Sequence, residues 1–401
     1  MNKALYWLWV QKTLGYHAKI NTLMRYYGTA EGLYKAGQGS WRSSGLFGDE
    51  IPVSKISSMS EVTLKACEDT LTLCAAKGIS VITPEDEAYP KALLKLSDYP
   101  AVLYVKGDIS FINNGLTISV IGTRNPSTYG MEMCRKIASG LAKEGVTVVS
   151  GGALGIDSAA HKSTIEAGGK TVLVLGCGHC GGYLPENEKL RKEVTENGAV
   201  ISEYPPLAKA SVYSFPKRNR IISGISKGVL VIEAGVKSGT LNTASHAQNQ
   251  GRDIFAVPGD VASGMYTGSN RLLTAGAKAV FSADDILNFY SDYVKFRAER
   301  ITGEAPFSKI DRVKEEKPGK IKVSPDFKEE TENNKKIVKI TAESVSDNAF
   351  LVYNLMSGKE MSLDDIVRES GLPVRKVLAV LTELEMMSAV RLMEGGRYTY
   401  C

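Results

Sequence analysis

Apolar residues in this chain change their spacing along its length, and each change marks a different kind of structure. Over residues 1–78, Leu5, Leu8 and Trp9, then Leu23, Met24 and Tyr27, recur three or four positions apart, which gathers them on one face of short helices. Gly15, Gly28, Gly32 and Gly37 punctuate these stretches, so the segment predicts a small helical domain of the SAM or helix-hairpin type. From about residue 79 the texture becomes short β-branched runs, each closed by a turn and followed by an amphipathic stretch. The runs are Thr117–Ile121, Val146–Val149, Thr171–Leu175, Ala199–Glu203, Val229–Glu233 and Ile254–Val257. Near-continuous apolar strands alternating with helices predict an α/β domain over 79–290, with a parallel sheet covered on both faces. Ligands of such sheets sit outside the carboxyl ends of the strands, the edge where the glycine turns fall.

Residues 291–345 carry dense mixed charge, as in Lys314-Glu315-Glu316-Lys317 and Lys328-Glu329-Glu330, with too few apolar residues to bury a core. They predict a flexible linker. Helical periodicity returns over 346–401, through Leu351, Val352 and Leu355, then Ser362–Ser370, then Val377, Leu378, Leu381 and Leu384 beyond a Gly371-Leu372-Pro373 turn. Val390–Leu392 and Arg397–Tyr400 around Gly395-Gly396 complete the outline of a winged helix. Its eight acidic residues outnumber six basic ones. Duplex binding needs a basic face. Arg375 and Lys376 are compatible with DNA contact, whereas Glu383 and Glu385 favour a protein-contact or regulatory role.

The whole chain, 401 residues with a formal charge of +5, is only mildly basic, so any nucleic-acid site must be a local patch. Six cysteines without regular spacing suit a reducing cytoplasm and predict no disulfides. The apolar run Ala4–Val10 is too short to span a bilayer and lacks a basic leader and a cleavage site, so it predicts a buried helix.

The most informative patch is Tyr213–Gly224, where Lys217, Arg218 and Arg220 stand with no acid among them. Pro216 suits the first position of a helix, whose N-terminus attracts anions, so a phosphate-bearing ligand is the natural partner. Phe215 beside the cations is what a site needs to stack a base while holding a backbone. The bland alternative is a solvated basic turn with Phe215 in the core. Gly122-Thr123-Arg124 ends one strand, where glycine permits close approach and Arg124 can fork onto phosphate. Ser150-Gly151-Gly152 ends another and could form an anion nest, with Asp157 as the N-cap of the next helix. His161, one turn on, reads as structural.

Gly176-Cys177-Gly178-His179-Cys180-Gly181 matches a dinucleotide fingerprint by letter, with Glu203 imitating its ribose-binding acid, but the glycines do not open a helix. Cys177, His179 and Cys180 lack the further ligands of a closed zinc site, so no metal and no cofactor is expected. The chain carries no Walker A sequence and is not expected to form a serine nucleophile elbow. Glu233 is the one credible general base; it could equally orient Arg220 or Arg124, and Ser238-Gly239-Thr240 offers another helix N-terminus in the same crevice.

Taken in order, these loops resemble the DNA-processing protein A family, also called Smf. The resemblance runs over roughly residues 80–285 and rests on Gly122-Thr123-Arg124, Ser150-Gly151-Gly152, Gly155-Ile156-Asp157, Gly176-Cys177-Gly178, Ser202–Pro205, Phe215–Ile222, Glu233-Ala234, Ser238-Gly239-Thr240 and Val257-Pro258-Gly259. It implies an extended Rossmann-like parallel sheet core in a non-enzymatic protein of natural transformation that binds single-stranded DNA without sequence preference, dimerises and loads the RecA recombinase, with single-strand-binding protein as a further partner. It also implies that Gly122, Thr123, Arg124, Ser150, Gly151, Gly152, Phe215, Lys217, Arg218, Asn219 and Arg220 touch DNA, with Asp157, Glu233, Gly239 and Thr240 supporting the pocket. The chain departs from the family at Tyr183-Leu184-Pro185, where Tyr-Pro is usual. Ser150–Ala153 and Gly239–Leu241 are also similar to nucleoside monophosphate phosphoribohydrolases, an alternative enzymatic reading, but Asn242 and Thr243 stand where those enzymes carry glutamate. Finally, the apolar stretch at Leu272 and Leu273, with Val280 and Phe281 beyond it, predicts a homodimer interface at the sheet's end.

Overall fold

The computed structural model describes residues 3–291 apart from 17, 49 and 50, and residues 347–400 apart from 357–358, 375, 378–379, 382–383, 385–388 and 394–396. The stretch predicted to be a linker lies outside the described residues but for Ser291, as do Arg375, Glu383, Glu385, Gly395 and Gly396.

The first 76 residues form five helices: α1 (Lys3–Leu14), α2 (Ile20–Tyr27), α3 (Ala30–Ser43), α4 (Lys55–Glu61) and α5 (Leu64–Ala76). Nine strands follow, β1 (Ser80–Ile82), β2 (Leu103–Gly107), β3 (Thr117–Ile121), β4 (Thr147–Ser150), β5 (Thr171–Leu175), β6 (Gly198–Ser202), β7 (Gly228–Val231), β8 (Asp253–Ala256) and β9 (Lys278–Ala279). Between and after them run α6 (Thr128–Lys143), α7 (Ile156–Glu166), α8 (Glu188–Asn197), α9 (Ser214–Ile225), α10 (Thr240–Asn249), α11 (Thr267–Thr274) and α12 (Ala283–Phe289). All nine strands join one sheet in the order β1-β2-β6-β5-β4-β3-β7-β8-β9.

Strands β3 to β9 pair in parallel. The two strands at the other edge do not: β2 runs antiparallel to β6, and β1 antiparallel to β2. The uniformly parallel sheet is therefore corrected at that edge. Neither β1 nor β2 is followed by a crossover helix, and only such a helix would force parallel pairing.

Alternation along each strand sorts the core into two layers, as expected when both faces are covered. Ile118, Val120, Val148, Leu230 and Ile232 pack with residues of α6, α7 and α12. Ile121, Val149, Val172, Val229 and Val231 belong to a second cluster with α9, α10 and the N-terminal helices. Helix α1 is buried nearly all round, from Ala4 through Gln11, as a helix apolar on every side must be. Gln11 joins it to the sheet: its Nε2 donates to the Glu203 carbonyl at 2.8 Å, and its Oε1 accepts from the Tyr104 hydroxyl at 2.8 Å. Among the described residues no helix is long and apolar enough to cross a membrane.

Starting from β3, successive strands add on one side as far as β6; the chain then returns through α9 to place β7 on β3's other side. Strand order therefore reverses between β3 and β7, and a crevice opens at their carboxyl ends.

The C-terminal unit has its own core of Val352, Ile366, Leu381 and Leu384. Helix Asp347–Leu355 precedes helix Leu363–Ser370, which starts with a reciprocal Ser362–Asp365 capping box and stops at Gly371 (φ +66°). Three short antiparallel strands, Met361–Ser362, Val390–Leu392 and Arg397–Tyr400, complete it.

His161 on α7 is fully buried. Thr171 Oγ1 donates to the Val148 carbonyl at 2.8 Å, so at 2.7 Å it accepts from His161 Nδ1–H and leaves Nε2 without a proton or a partner. Burial pushes the imidazole down to about 3. Below pH 6.5 the unfolded chain binds a proton that the folded chain refuses, so stability falls as pH drops from about 6.5 toward 3. Between pH 7 and 5 the wild type is expected to lose about 2 kcal/mol more unfolding free energy than His161→Asn, which still offers Thr171 a donor. Equal losses in urea titrations would contradict a buried neutral histidine.

Candidate functional site

A cavity of about 570 Å³ occupies the crevice between β3 and β7. Its first wall is the turn after β3. The Thr123 N–H donates to the Glu233 carbonyl at 2.9 Å, and the Thr123 carbonyl accepts from the Ile156 N–H at 3.2 Å. Gly155 (φ +78°) makes this possible, since a Cβ there would lie 2.5 Å from the Thr123 oxygen and 2.6 Å from that of Arg124. Gly122, Thr123 and Arg124 all line the cavity, and the Arg124 side chain is exposed at its mouth.

The turn after β4 contributes differently from the expectation. Ser150 Oγ points back into the sheet and donates to the Val120 carbonyl at 2.7 Å. Gly151 and Gly152 are buried beneath the cavity, and Ala153 and Asp157 form its wall instead. Asp157 is not the N-cap of α7; that position is Gly155, and Asp157 is the helix's second residue. Its Oδ2 accepts from the Ala153 N–H at 3.3 Å and faces Arg218 across Gly151.

The second wall is α9. The helix begins at Ser214, so Pro216 is its third residue and not its first. Phe215, Arg218, Asn219 and Ile222 line the cavity, the i, i+3, i+4, i+7 pattern of one helix face. Phe215 is half-buried, its ring 4.6 Å from that of Tyr183 and against Gly176, where a Cβ would come within 2.6 Å of it. Arg218 is 5% exposed, and its Nη1 donates to the carbonyls of Gly151 (2.8 Å) and Val174. Burial raises the Asp157 carboxyl and lowers the Arg218 guanidinium, and each partner's charge opposes the other's shift.

Arg220 takes no part in this face. Two residues on an α-helix are separated by about 200°, so Arg218 and Arg220 point to opposite sides. Arg220 is 3% exposed and forms a buried ion pair with Glu203 (2.6 Å) and a second with Asp98 (3.0 Å). Of the three cations of the segment only Lys217 is exposed. Lys217 does not line the cavity: it stands two positions, about 200°, from both Phe215 and Asn219 and so faces away from them, and because Asp157 offsets Arg218 the surplus positive charge at the cavity comes from Arg124.

The third wall is the turn into α10, where Ser238, Gly239, Thr240, Asn242 and Thr243 line the cavity. Asn219 Nδ2 donates to Asn242 Oδ1 at 3.2 Å, closing the wall against α9. Glu233 stands apart. It is 1% exposed, and its carboxylate accepts from the Ser127 N–H (3.2 Å) and hydroxyl (2.7 Å), holding the N-cap of α6. It orients neither Arg220 nor Arg124, and it does not line the cavity that a phosphoribohydrolase base would have to face. His179, read beside the cysteines, has its Nε2 2.9 Å from the Tyr104 carbonyl, and burial pushes it down to about 4. Leu272 and Leu273 are half-buried against the sheet's own core, whereas Phe281 just beyond β9 is 62% exposed. The cavity also contains Tyr183 and Val212, which the sequence reading did not single out; an aromatic after the Gly181-Gly182 turn was the available signal.

A doubly wound sheet with an aromatic and cationic crevice at its switch point defines the class: a Rossmann-like α/β protein. Residues 80–291 match the family model of DNA recombination-mediator protein A, and residues 341–396 match that of the DprA winged helix domain. The chain is 33% identical over 334 residues to Protein Smf of Escherichia coli (strain K12), covering 83% of this chain and 80% of that protein. It is 40% identical over 210 residues to DNA processing protein DprA of Bacillus subtilis (strain 168), covering 52% of this chain and 71% of that one. The X-ray structure of DNA processing protein A from Streptococcus pneumoniae aligns with 70% of this chain and 95% of its own, at 30% identity and a TM-score of 0.61. The chain therefore belongs to the DNA recombination-mediator protein A family, with a winged helix domain at its C-terminal end.

The opposed placement of the arginines gives a direct test. Arg220→Ala leaves the Glu203 carboxylate buried without its cation and is expected to cost about 3–5 kcal/mol of stability, whereas Arg124→Ala at the exposed mouth should stay within about 0.5 kcal/mol. Denaturant midpoints that move equally in the two variants would overturn the assignment of Arg220 to the core.

Proposed function

We propose that the switch-point cavity binds single-stranded DNA without sequence preference, and that the bound protein loads the RecA recombinase onto the strand during DNA uptake and recombination. The observation that carries the binding step is the single helix face that brings Phe215, Arg218 and Asn219 to one wall, opposite Arg124 and the turn into α10. A π-face for a base and a cation for the backbone are what sequence-tolerant binding requires. Gly122, Thr123, Arg124, Phe215, Asn219, Gly239 and Thr240, all lining the cavity, are the assigned contacts. Arg218 and Asp157 position them, and Ser150, Gly151 and Gly152 shape the pocket from below.

The loading step rests on family membership and one constraint from the chain itself. Without a Walker A sequence it has no P-loop to drive a motor, so remodelling draws on binding energy or on a partner's ATP cycle. A cytoplasmic mediator acting on strands coated by single-strand-binding protein fits that limit. Self-association through the β9 edge would cover unpaired strand groups and Phe281.

Three measurements follow. With an oligonucleotide of about six nucleotides, Arg124, the surplus cation of the cavity, should give a slope of log affinity against log salt of about −0.7 per subunit. A slope near −3, as four cations would give, would return Lys217, Arg218 and Arg220 to phosphate contact. Phe215→Ala should weaken binding by about 1–3 kcal/mol for every base composition alike, and an unchanged affinity would make that ring a core residue only. Sedimentation should show a micromolar dimer that Phe281→Asp dissociates; a dimer that survives the charge would move the interface elsewhere.

A further inference from the structure

The switch-point cavity has a neighbour on its Tyr183 side. A smaller cavity of about 230 Å³ lies behind the loop that follows β5, and Tyr183 lines both. This small cavity shares Leu175, His179, Glu188 and Arg191 with a third, of about 560 Å³, beside α8. The third cavity carries Lys106 from β2 and Lys189, Arg191 and Lys192 from α8, against the single acid Glu188. Lys189 and Lys192 lie one helical turn apart on the exposed side of α8, and Lys106 is half-buried. The contact of Lys189 with Glu193, at 3.8 Å between exposed side chains, is too weak to neutralise it. Three linked hollows thus carry a surplus of positive charge away from the first site, with an aromatic ring at the junction.

The junction is built with strain. Leu184 is the one non-glycine residue with positive φ among those described (φ +45°), and it sits immediately before Pro185. Arg191 holds it by donating from Nη1 to its carbonyl at 3.0 Å. Such a conformation persists only where its surroundings impose it, and here it sets Tyr183 against Phe215.

We infer that a strand seated in the switch-point cavity continues across Tyr183 into the groove beside α8, where Lys106, Lys189 and Lys192 take its phosphates. The inference rests on the single-stranded DNA reading above and adds the path of the strand over one subunit. Phe215 and Tyr183 would offer successive π-faces, and the lysines would act on the backbone alone, which keeps the extension independent of sequence.

Fluorescence anisotropy with two oligonucleotides, about six and about twenty nucleotides long, each titrated with salt, separates the two ideas. In the wild type the longer strand should show a slope steeper by about 2, from roughly 0.7 for each of three lysines. The triple variant Lys106→Gln, Lys189→Gln, Lys192→Gln should bind the short strand as the wild type does and lose that increment with the long one. If the variant keeps the increment, the extra contacts lie elsewhere, for example on a second subunit, and the path is wrong. If length brings no increment in the wild type, the path is equally wrong while the first site stands. Failure of the wild type to bind either strand would overturn the switch-point reading itself, and the path with it.

Discussion

The guanidinium of Arg218 ties together the parts that make the crevice. One of its nitrogens donates to a carbonyl in β5 and to one just past β4, and Asp157 of α7 stands opposite it across Gly151. Two strand ends and two helices thereby meet at one buried charge. Hydrogen bonds to charged groups contribute about 1.5–3 kcal/mol each, and a buried cation stripped of its partners costs about as much again. Arg218 therefore stays where it is, and its fixed position sets the rotation of α9 about its axis. That rotation decides everything downstream: Phe215, Asn219 and Ile222 follow Arg218 onto the cavity wall, while Arg220 is carried to the far side, into Glu203 and Asp98. Gly151 is part of the same device, because a Cβ there would fall within 2.9 Å of the guanidinium and of the Asp157 carboxylate.

The opposite face of α9 links the site to the N-terminal helices. Glu203, paired with Arg220 through its side chain, accepts Gln11 of α1 through its main-chain carbonyl. The helices of the first 76 residues share an apolar cluster with the underside of the sheet, so the chain's first element and the crevice wall converge on one residue. This arrangement gives the buried Arg220–Glu203 pair an architectural role in place of the ligand contact that its position in a basic segment suggests.

Much of this architecture was legible in the residue pattern. Every strand from β3 to β8 could be read as an apolar β-branched run, because burial on both faces removes the polar alternation that would blur it. The turn at Gly122 was also readable, since glycine at a strand end has a local cause. What was not readable depends on partners remote in sequence. Glu203 lies 17 positions from Arg220, and the Gly151 carbonyl 67 from Arg218, so nothing local announces that two of three clustered cations are neutralised. The 200° separation of Arg218 and Arg220 was the one available warning, and it follows from helix geometry alone. Asp157 misled for a related reason: Gly155, free to adopt positive φ, starts the helix two residues sooner than a capping aspartate would. The β1 and β2 edge escaped because short strands without a following helix carry no period to detect.

The central claim, that one face of α9 and the turn after β3 receive a single strand, is tested most directly by photo-crosslinking an oligonucleotide carrying iodouracil to the full-length protein and mapping the adducts by mass spectrometry. The account predicts adducts on Phe215 and Tyr183, weakened when Arg124 is replaced by alanine. Adducts confined to the C-terminal unit, or to the N-terminal helices, with Phe215 and Tyr183 unmodified, would contradict it.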